Sequence, residues 1–266
     1  MTRTIAGNFH RHACEIPAQI PGMQVMVTPN LAWVDSGLSC DTFNIIQILN
    51  GRELTREELQ AAIDHFRKKD LAFCLWTDGS QLDDRVDKML SDQGLSVQNT
   101  DWGMSMDLGL YQPVSNDLYQ NIRRVETHAD LLEWAFAVAA NWSPPDQNVI
   151  EFYRRASAQV LDPQNGIQLF SFWDGNQVAG TVEMFPSDQE TIGLYSLATL
   201  TAFRGKGIGS AMMAFALNQA KASGYRTVVL QASEDGIGIY RKLGFREVAP
   251  FYEYALAFGG LAFGGL

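Results

Sequence analysis

Two kinds of apolar spacing alternate along the chain. Continuous or period-two apolar runs, the pattern of strands, occur at 23–29 (MQVMVTP), 41–50 (DTFNIIQILN), 71–77 (LAFCLWT), 121–127, 166–173, 177–185, 191–200, 225–231 and 245–256. Residues 95–108, LSVQNTDWGMSMDL, read as one strand or two. Helical spacing predicts helices over 54–70, 81–94, 131–142, 146–162, 211–223 and 234–244. Thr55 and Glu58 form a capping box at the first of these, and Gly94 and Gly244 stop later ones. Thr127 or Asp130 begins the third helix, and Ser143-Pro144-Pro145 breaks it. A turn is expected near Asp35-Ser36-Gly37, and Asp174-Gly175-Asn176 closes the clearest hairpin. Residues 1–20, with His10, His12 and Cys14, show neither spacing and read as a loosely structured start.

The order of elements divides the chain. Residues 1–115 read β-β-α-β-α-β, and residues 109–120 (GLYQPVSNDLYQ) have the Gly, Pro, Ser and Asn content of a linker. Residues 121–256 read β-αα-β-β-β-α-β-α-β, an α/β or α+β arrangement. Residues 257–266 close a twice-repeated LAFGG that begins at Leu256 and read as a flexible tail. The alternative is an apolar tail that docks on a neighbouring subunit, which would make a homodimer.

Charge and cysteine content narrow the class. The net charge is −10, and both halves are acidic, so a nucleic-acid partner is not expected. A cationic amine would be attracted instead. Three scattered cysteines, Cys14, Cys40 and Cys74, suggest reduced thiols and a cytoplasmic setting. No apolar run of about 18 residues is present, so no membrane partner is expected. His10, His12 and Cys14 have no second ligand group nearby in sequence, and no metal site is expected.

The chemistry concentrates in Arg204-Gly205-Lys206-Gly207-Ile208-Gly209-Ser210, between the apolar run 191–200 and the helix 211–223. Glycines let the backbone turn sharply, and the first N–H groups of a helix form an anion site. The Lys-Ser/Thr ending of a P-loop is missing, and so is the acidic residue a dinucleotide fold would carry near strand 226–231. What fits is Arg-x-x-Gly-x-Gly, as Arg204, Gly207 and Gly209. With LATLTAFRGKGIG, with Tyr240, Gly244 and Phe245 downstream, and with the element order of 121–256, the chain resembles the GNAT superfamily of N-acetyltransferases. Thr201 stands where that family often has proline. FNIIQILNG, LAFCLWTDGS and GMSMDL resemble the N-terminal half of tandem GNAT-like proteins, without the glycine loop.

The resemblance implies an acyl-CoA N-acyltransferase fold, α/β (α+β), with a mixed, mostly antiparallel sheet flanked by helices and a second, GNAT-like half over 1–115. It implies acetyl-CoA as co-substrate. The pyrophosphate would sit on the amides of Lys206 to Ser210 (Lys206, Gly207, Ile208, Gly209 and Ser210), with Arg204 and Gly205 beginning the motif. The pantetheine arm would pair with Leu197, Ala198, Thr199 and Leu200, and the Leu200 amide is the first choice for holding the oxyanion. Ser233 matches a position that often touches CoA. Tyr240 stands at the family's position for protonating the leaving thiolate. Glu183 is the first candidate base and Tyr195 the second, unless Glu183 is simply a solvated strand residue. The expected activity is direct transfer of acetyl to a small-molecule or peptide primary amine in a ternary complex. The alternatives are a CoA-binding sensor without turnover, and an acyltransferase using a longer acyl group.

Overall fold

The structure is a computed structural model and describes residues 1–234 and 236–256. The first half runs α1 (Thr2–Glu15), β1 (Gln24–Val27), β2 (Leu31–Asp35), β3 (Ile45–Ile48), α2 (Arg56–Lys68), β4 (Cys74–Asp78), α3 (Asp84–Asp92) and β5 (Leu95–Asp107). The second runs β6 (Ile122–Arg124), α4 (His128–Ala139), α5 (Gln147–Val160), β7 (Gln168–Asp174), β8 (Gln177–Pro186), β9 (Thr191–Thr199), α6 (Ile208–Ala222), β10 (Thr227–Ala232), α7 (Ile237–Leu243) and β11 (Arg246–Leu256). The local signals act as their chemistry requires. The Thr55 hydroxyl accepts from the Glu58 N–H and Glu58 answers on the Thr55 N–H, and Thr127 and Asp130 build the same box at α4. Gly244 ends α7 at φ +98°, a left-handed conformation that favours glycine.

Two expectations need correction. Residues 1–20 hold a helix, α1. Its inward stripe contains Ile5, Phe9, Ala13 and Ile16 at helical spacing, but Asn8 and His12 share that face, and two polar side chains hide the pattern. Residues 31–35, between the expected strands, form β2, which pairs with both β1 and β3. Of the two readings for residues 95–108, the single strand is the one that forms, over Leu95–Asp107. The tail call of 257–266 lies outside the described residues.

All eleven strands join one sheet in the order β1-β2-β3-β4-β11-β5-β10-β9-β8-β7-β6. Only β3–β4 and β9–β10 are parallel. The order shows an exchange between the halves. β11, the last strand of the second half, pairs with β4 of the first, while β5 of the first half pairs with β10 of the second. β5 and β11 also pair with each other over residues 95–105 and 246–256. Each half therefore takes its last strand from the other, and the central seam is a continuous hydrogen-bonded ladder.

Helices cover both faces. α6 packs Met212, Met213, Ala216 and Leu217 on Val182, Met184, Ile192, Val228 and Leu230. α4 and α5 bury Trp134, Val138, Phe152 and Ala156 with Ile16, Ile20, Leu169 and Phe185. α2 and α3 close a third core over β2, β3 and β4, around Ile46, Ile63, Phe66 and Leu75. α1 crosses the seam, touching β2, β4 and β5 as well as β9 and β10.

Candidate active site

The site begins where the sheet opens. β9 pairs with β10 only at Thr191, Ile192 and Gly193, while β10 continues along β5 as far as Ala232. From Leu194 onward β9 has a neighbour on the β8 side alone. At the opening β9 is bulged: Thr181 faces Ala198 and Glu183 faces Tyr195, so two residues of β9 oppose one of β8. Ser196 takes φ +51° there, and the Thr181 hydroxyl donates to the Ser196 carbonyl at 2.7 Å. In a trans peptide the C=O and the following N–H point opposite ways. Holding the Ser196 carbonyl on the β8 side turns the Leu197 N–H into the gap.

Downstream, β9 leads into the glycine loop. Gly205 and Gly207 take φ +75° and +78°, and a Cβ at either would meet open space. α6 starts at Ile208 with no side-chain cap. The N–H groups of Gly205 through Ser210 find no acceptor among the described residues, which leaves a nest of donors at the positive end of a 15-residue helix. The Arg204 Nε donates to the Thr199 carbonyl at 3.1 Å and braces the corner. Lys206 is exposed, with Nζ 4.8 Å from the centre of the Phe203 ring and 3.9 Å from Asp174. Gly180 allows the close approach of α6: a Cβ there would lie 2.9 Å from Ile208 Cγ2.

On the opposite face of the sheet, under α1, lies a cavity of about 190 Å³. Ser196, Leu197 and Tyr240 line it beside the opening, and Glu183 and Tyr195 line it on the β8–β9 side. Glu183 is 4% exposed, with both oxygens engaged. Oε1 lies 3.0 Å from His12 Nε2, and Oε2 accepts from the Tyr153 hydroxyl at 3.1 Å. The His12 ring stacks on Tyr195, with centroids 3.7 Å apart, and the Tyr195 hydroxyl donates to Asn8. Burial, and then the Glu183 charge, push the Tyr153 and Tyr195 phenols well above their ordinary range. Burial also pushes Tyr240 up to about 12, with a smaller contribution from the Asp101 carboxylate.

The residues singled out in the sequence fall into three places. Arg204 to Ser210 form the loop, and Leu197 to Leu200 lead into it. Ser233 follows β10, where its carbonyl accepts from the N–H groups of Gly236 and Ile237 at 3.0 Å. Tyr240 and Glu183 line the cavity. The expectation for Leu200 fails on geometry: its N–H already donates to the Ala179 carbonyl at 3.0 Å and belongs to the sheet. The bulge at Ser196 instead turns the Leu197 N–H toward the opening. His12, Asn8, Tyr153 and Asp101 were not singled out as site residues. No local signal marks them, because α1, α5 and β5 reach the site only through the tertiary fold. His12 turns to Glu183, while His10 Nδ1 lies 3.7 Å from Cys14 Sγ.

A bulged strand parting from its neighbour thus leads into a glycine turn and an uncapped helix. Residues 128–245 match the Acetyltransferase (GNAT) family, and this segment is a GNAT acetyltransferase domain. The chain is 29% identical over 110 residues to a mycothiol acetyltransferase of Corynebacterium glutamicum, covering 40% of this chain and 37% of that relative. It thus spans well under half the length of that curated protein. The fold resembles a GCN5-related N-acetyltransferase from Kribbella flavida, with a TM-score of 0.72 at 15% identity over 98% of both chains. It also resembles a tandem GNAT protein from the clavulanic acid biosynthesis pathway, with a TM-score of 0.59 at 12% identity over 91% of this chain and 87% of that one. Among the described residues no helix is long and apolar enough to cross a membrane.

Proposed function

We propose that this protein transfers an acetyl group from acetyl-CoA to a primary amine by direct attack in a ternary complex. One observation carries this reading: the free edge of β9 runs from a cavity holding Tyr240 and Glu183 to a nest of unpartnered amides at the start of α6. A thioester bound there supplies an acyl carbon activated toward amines. The open edge at Leu197, Ala198, Thr199 and Leu200 suits an extended arm with amide groups, and the amides of Gly205 to Ser210 suit a pyrophosphate. Arg204 holds the corner between them, and Ser233 borders it after β10. In this assignment residues 121–256 carry the cofactor, and both halves line the acceptor end of the cavity.

The Leu197 N–H is placed to polarise the thioester carbonyl and to hold its oxygen as charge develops. As the acceptor nitrogen forms the new N–C bond, the C–S bond breaks and its electron pair leaves on sulfur. Glu183 takes the proton from nitrogen, directly or through water, and His12 links Glu183 to solvent, with a quarter of its side chain exposed. Tyr240 remains protonated through the neutral range. Full transfer from a phenol near 12 to a thiolate of pKa about 8.5 would be uphill by about 5 kcal/mol. Tyr240 therefore stabilises the departing sulfur mainly as a hydrogen-bond donor.

The test is release of free thiol from acetyl-CoA across a panel of monoamines, diamines, amino acids and peptides. Tight CoA binding with no thiol release from any acceptor would sink the transferase reading and leave a CoA-binding sensor. A longer acyl group would show as a preference for a longer acyl-CoA in the same assay.

A further inference from the structure

The cavity is unevenly charged. Four carboxylates line it, those of Asp41, Asp101, Glu183 and Glu253, and no Lys or Arg does. Glu183 is balanced by His12 and Tyr153. The other three take part in no ion pair among the described residues. Asp101 is 3% exposed, and its one side-chain bond is from Asn99 Nδ2 to Oδ1 at 3.0 Å. Oδ2 has no hydrogen-bond partner among the described residues, and Asp101 lines the cavity. Glu253 has the thiol of Cys74 beside it.

These groups repel one another. Burial, and then Asp41 and Asp101, push Glu253 up to about 7, and burial pushes Asp101 up to about 6. Buried like charges with no cation nearby are costly unless something positive sits among them. The surroundings are apolar, with Phe9 and Trp76 beside the acids and Phe152 further along.

Their place relative to the chemistry follows from the strand order. Gln231 of β10 pairs with Gly103 of β5, and Asp101 is two residues further along β5 on the same face. Glu253 is on β11, the next strand. With strands about 5 Å apart and about 3.3 Å per residue along each, Asp101 lies about 6 Å and Glu253 about 14 Å from Ala232 at the end of β10. Tyr240 bridges the two regions, since it lines the same cavity and senses the Asp101 charge.

We propose that Asp41, Asp101 and Glu253 bind a second cationic group of the acceptor, so that the substrate is an aliphatic diamine or polyamine. One end lies at Leu197 and Tyr240, the methylenes lie along the aromatic walls, and the distal ammonium lies among the three carboxylates. The site rejects acceptors that carry a carboxylate at that distance. This assignment rests on the transferase reading above but is tested separately from it.

Two measurements on the full chain decide it, each with 1,4-diaminobutane and its neutral-tailed analogue 1-aminopentane. With acetyl-CoA saturating, the wild type should show a kcat/KM for the diamine at least about tenfold above that for the monoamine. In the Asp101→Asn, Glu253→Gln double variant that ratio should fall close to one. Calorimetry on the CoA complex should show diamine binding that the variant loses. Equal use of both amines by the wild type, or a ratio preserved in the variant, overturns the inference and leaves the transferase reading intact. Diamine binding that depends on the acids, without thiol release, upholds the inference and overturns the transferase reading. No thiol release and no diamine binding overturns both. Single Asp41→Asn and Glu253→Gln variants repeat the ratio if the double variant does not fold.

Discussion

His12 and Glu183 are 171 residues apart in the chain and 3.0 Å apart in the fold. The first belongs to α1 at the start of one half, the second to β8 deep in the other. A carboxylate that must take a proton inside a nearly closed cavity also needs a way to lose it, and the half-buried imidazole provides one. Glu183→Gln should lower kcat about 10²-fold while leaving acetyl-CoA affinity within about twofold. His12→Ala should lower kcat by less, about tenfold, again without effect on acetyl-CoA affinity. Steady-state kinetics with separate calorimetry of acetyl-CoA distinguish the two effects. Unchanged kcat in Glu183→Gln would remove it as the base.

Tyr240→Phe removes the hydroxyl and keeps the ring that packs on Phe245. Turnover should fall about 10–10²-fold with acetyl-CoA affinity nearly intact. An unaltered turnover number would leave Tyr240 as packing alone.

The loop makes a different prediction. At Gly207 the backbone is left-handed at φ +78°, with open space where a Cβ would stand. The Cβ of Gly207→Ala therefore clashes with nothing but strains the turn, costing about 1–2 kcal/mol. The amides of Ile208 to Ser210 should turn away from the anion, and CoA affinity should drop about tenfold or more. The melting temperature without ligand should fall by only a few degrees. If CoA binds the variant as it binds the wild type, the nest is not the pyrophosphate site.

Gly193 seats α1. A Cβ there would lie 2.0 Å from Asn8 Oδ1 and 2.6 Å from Tyr195 Cε2. Gly193→Ala must displace the Asn8 side chain and the Tyr195 ring, on which α1 rests, and should cost about 1–3 kcal/mol by denaturant titration. It should also disturb the stack of His12 on Tyr195 and lower kcat. Full stability together with full activity would show that α1 can shift without consequence.

The acids of the cavity set a pH dependence. The carboxyls of Asp101 and Glu253 ordinarily titrate at 3.8 and 4.5 and are raised in the fold to about 6 and about 7. Between those values the folded chain holds more protons than the unfolded one, so this contribution to stability falls as pH rises. The loss is complete above about pH 7. Asp41 is raised in the same direction and adds to it. Glu253→Gln should gain about 1–3 kcal/mol over the wild type at pH 8 and nothing at pH 4. Thermal melts at the two values check this, and an equal difference at both would show that Glu253 is not perturbed by its surroundings.

Much of the second half was legible in the chain because its signals are local. A capping box, a hairpin turn, a glycine loop after a strand and a Gly-Phe pair after a tyrosine each act within a few residues. Together they resemble one family, and residues 128–245 match it. The strand pattern was also largely readable, apart from β2. What the sequence could not decide depends on neighbours far along the chain. β11 beside β4 and β5 beside β10 is a choice among strands of similar apolar character, and local spacing does not state it. α1 was hidden because two inward positions are polar, and those positions face the site rather than the core. The position of Leu200 before the loop suggests an available amide, but a bond to the Ala179 carbonyl takes it, and a bulge at Ser196 turns the Leu197 N–H toward the opening instead. The chain by itself determined the glycine loop, whose donors are backbone amides at consecutive positions. Only the tertiary structure decided the cavity beside it, because His12, Asp101, Glu183 and Glu253 come from four elements that meet when the halves exchange strands and α1 closes over the seam.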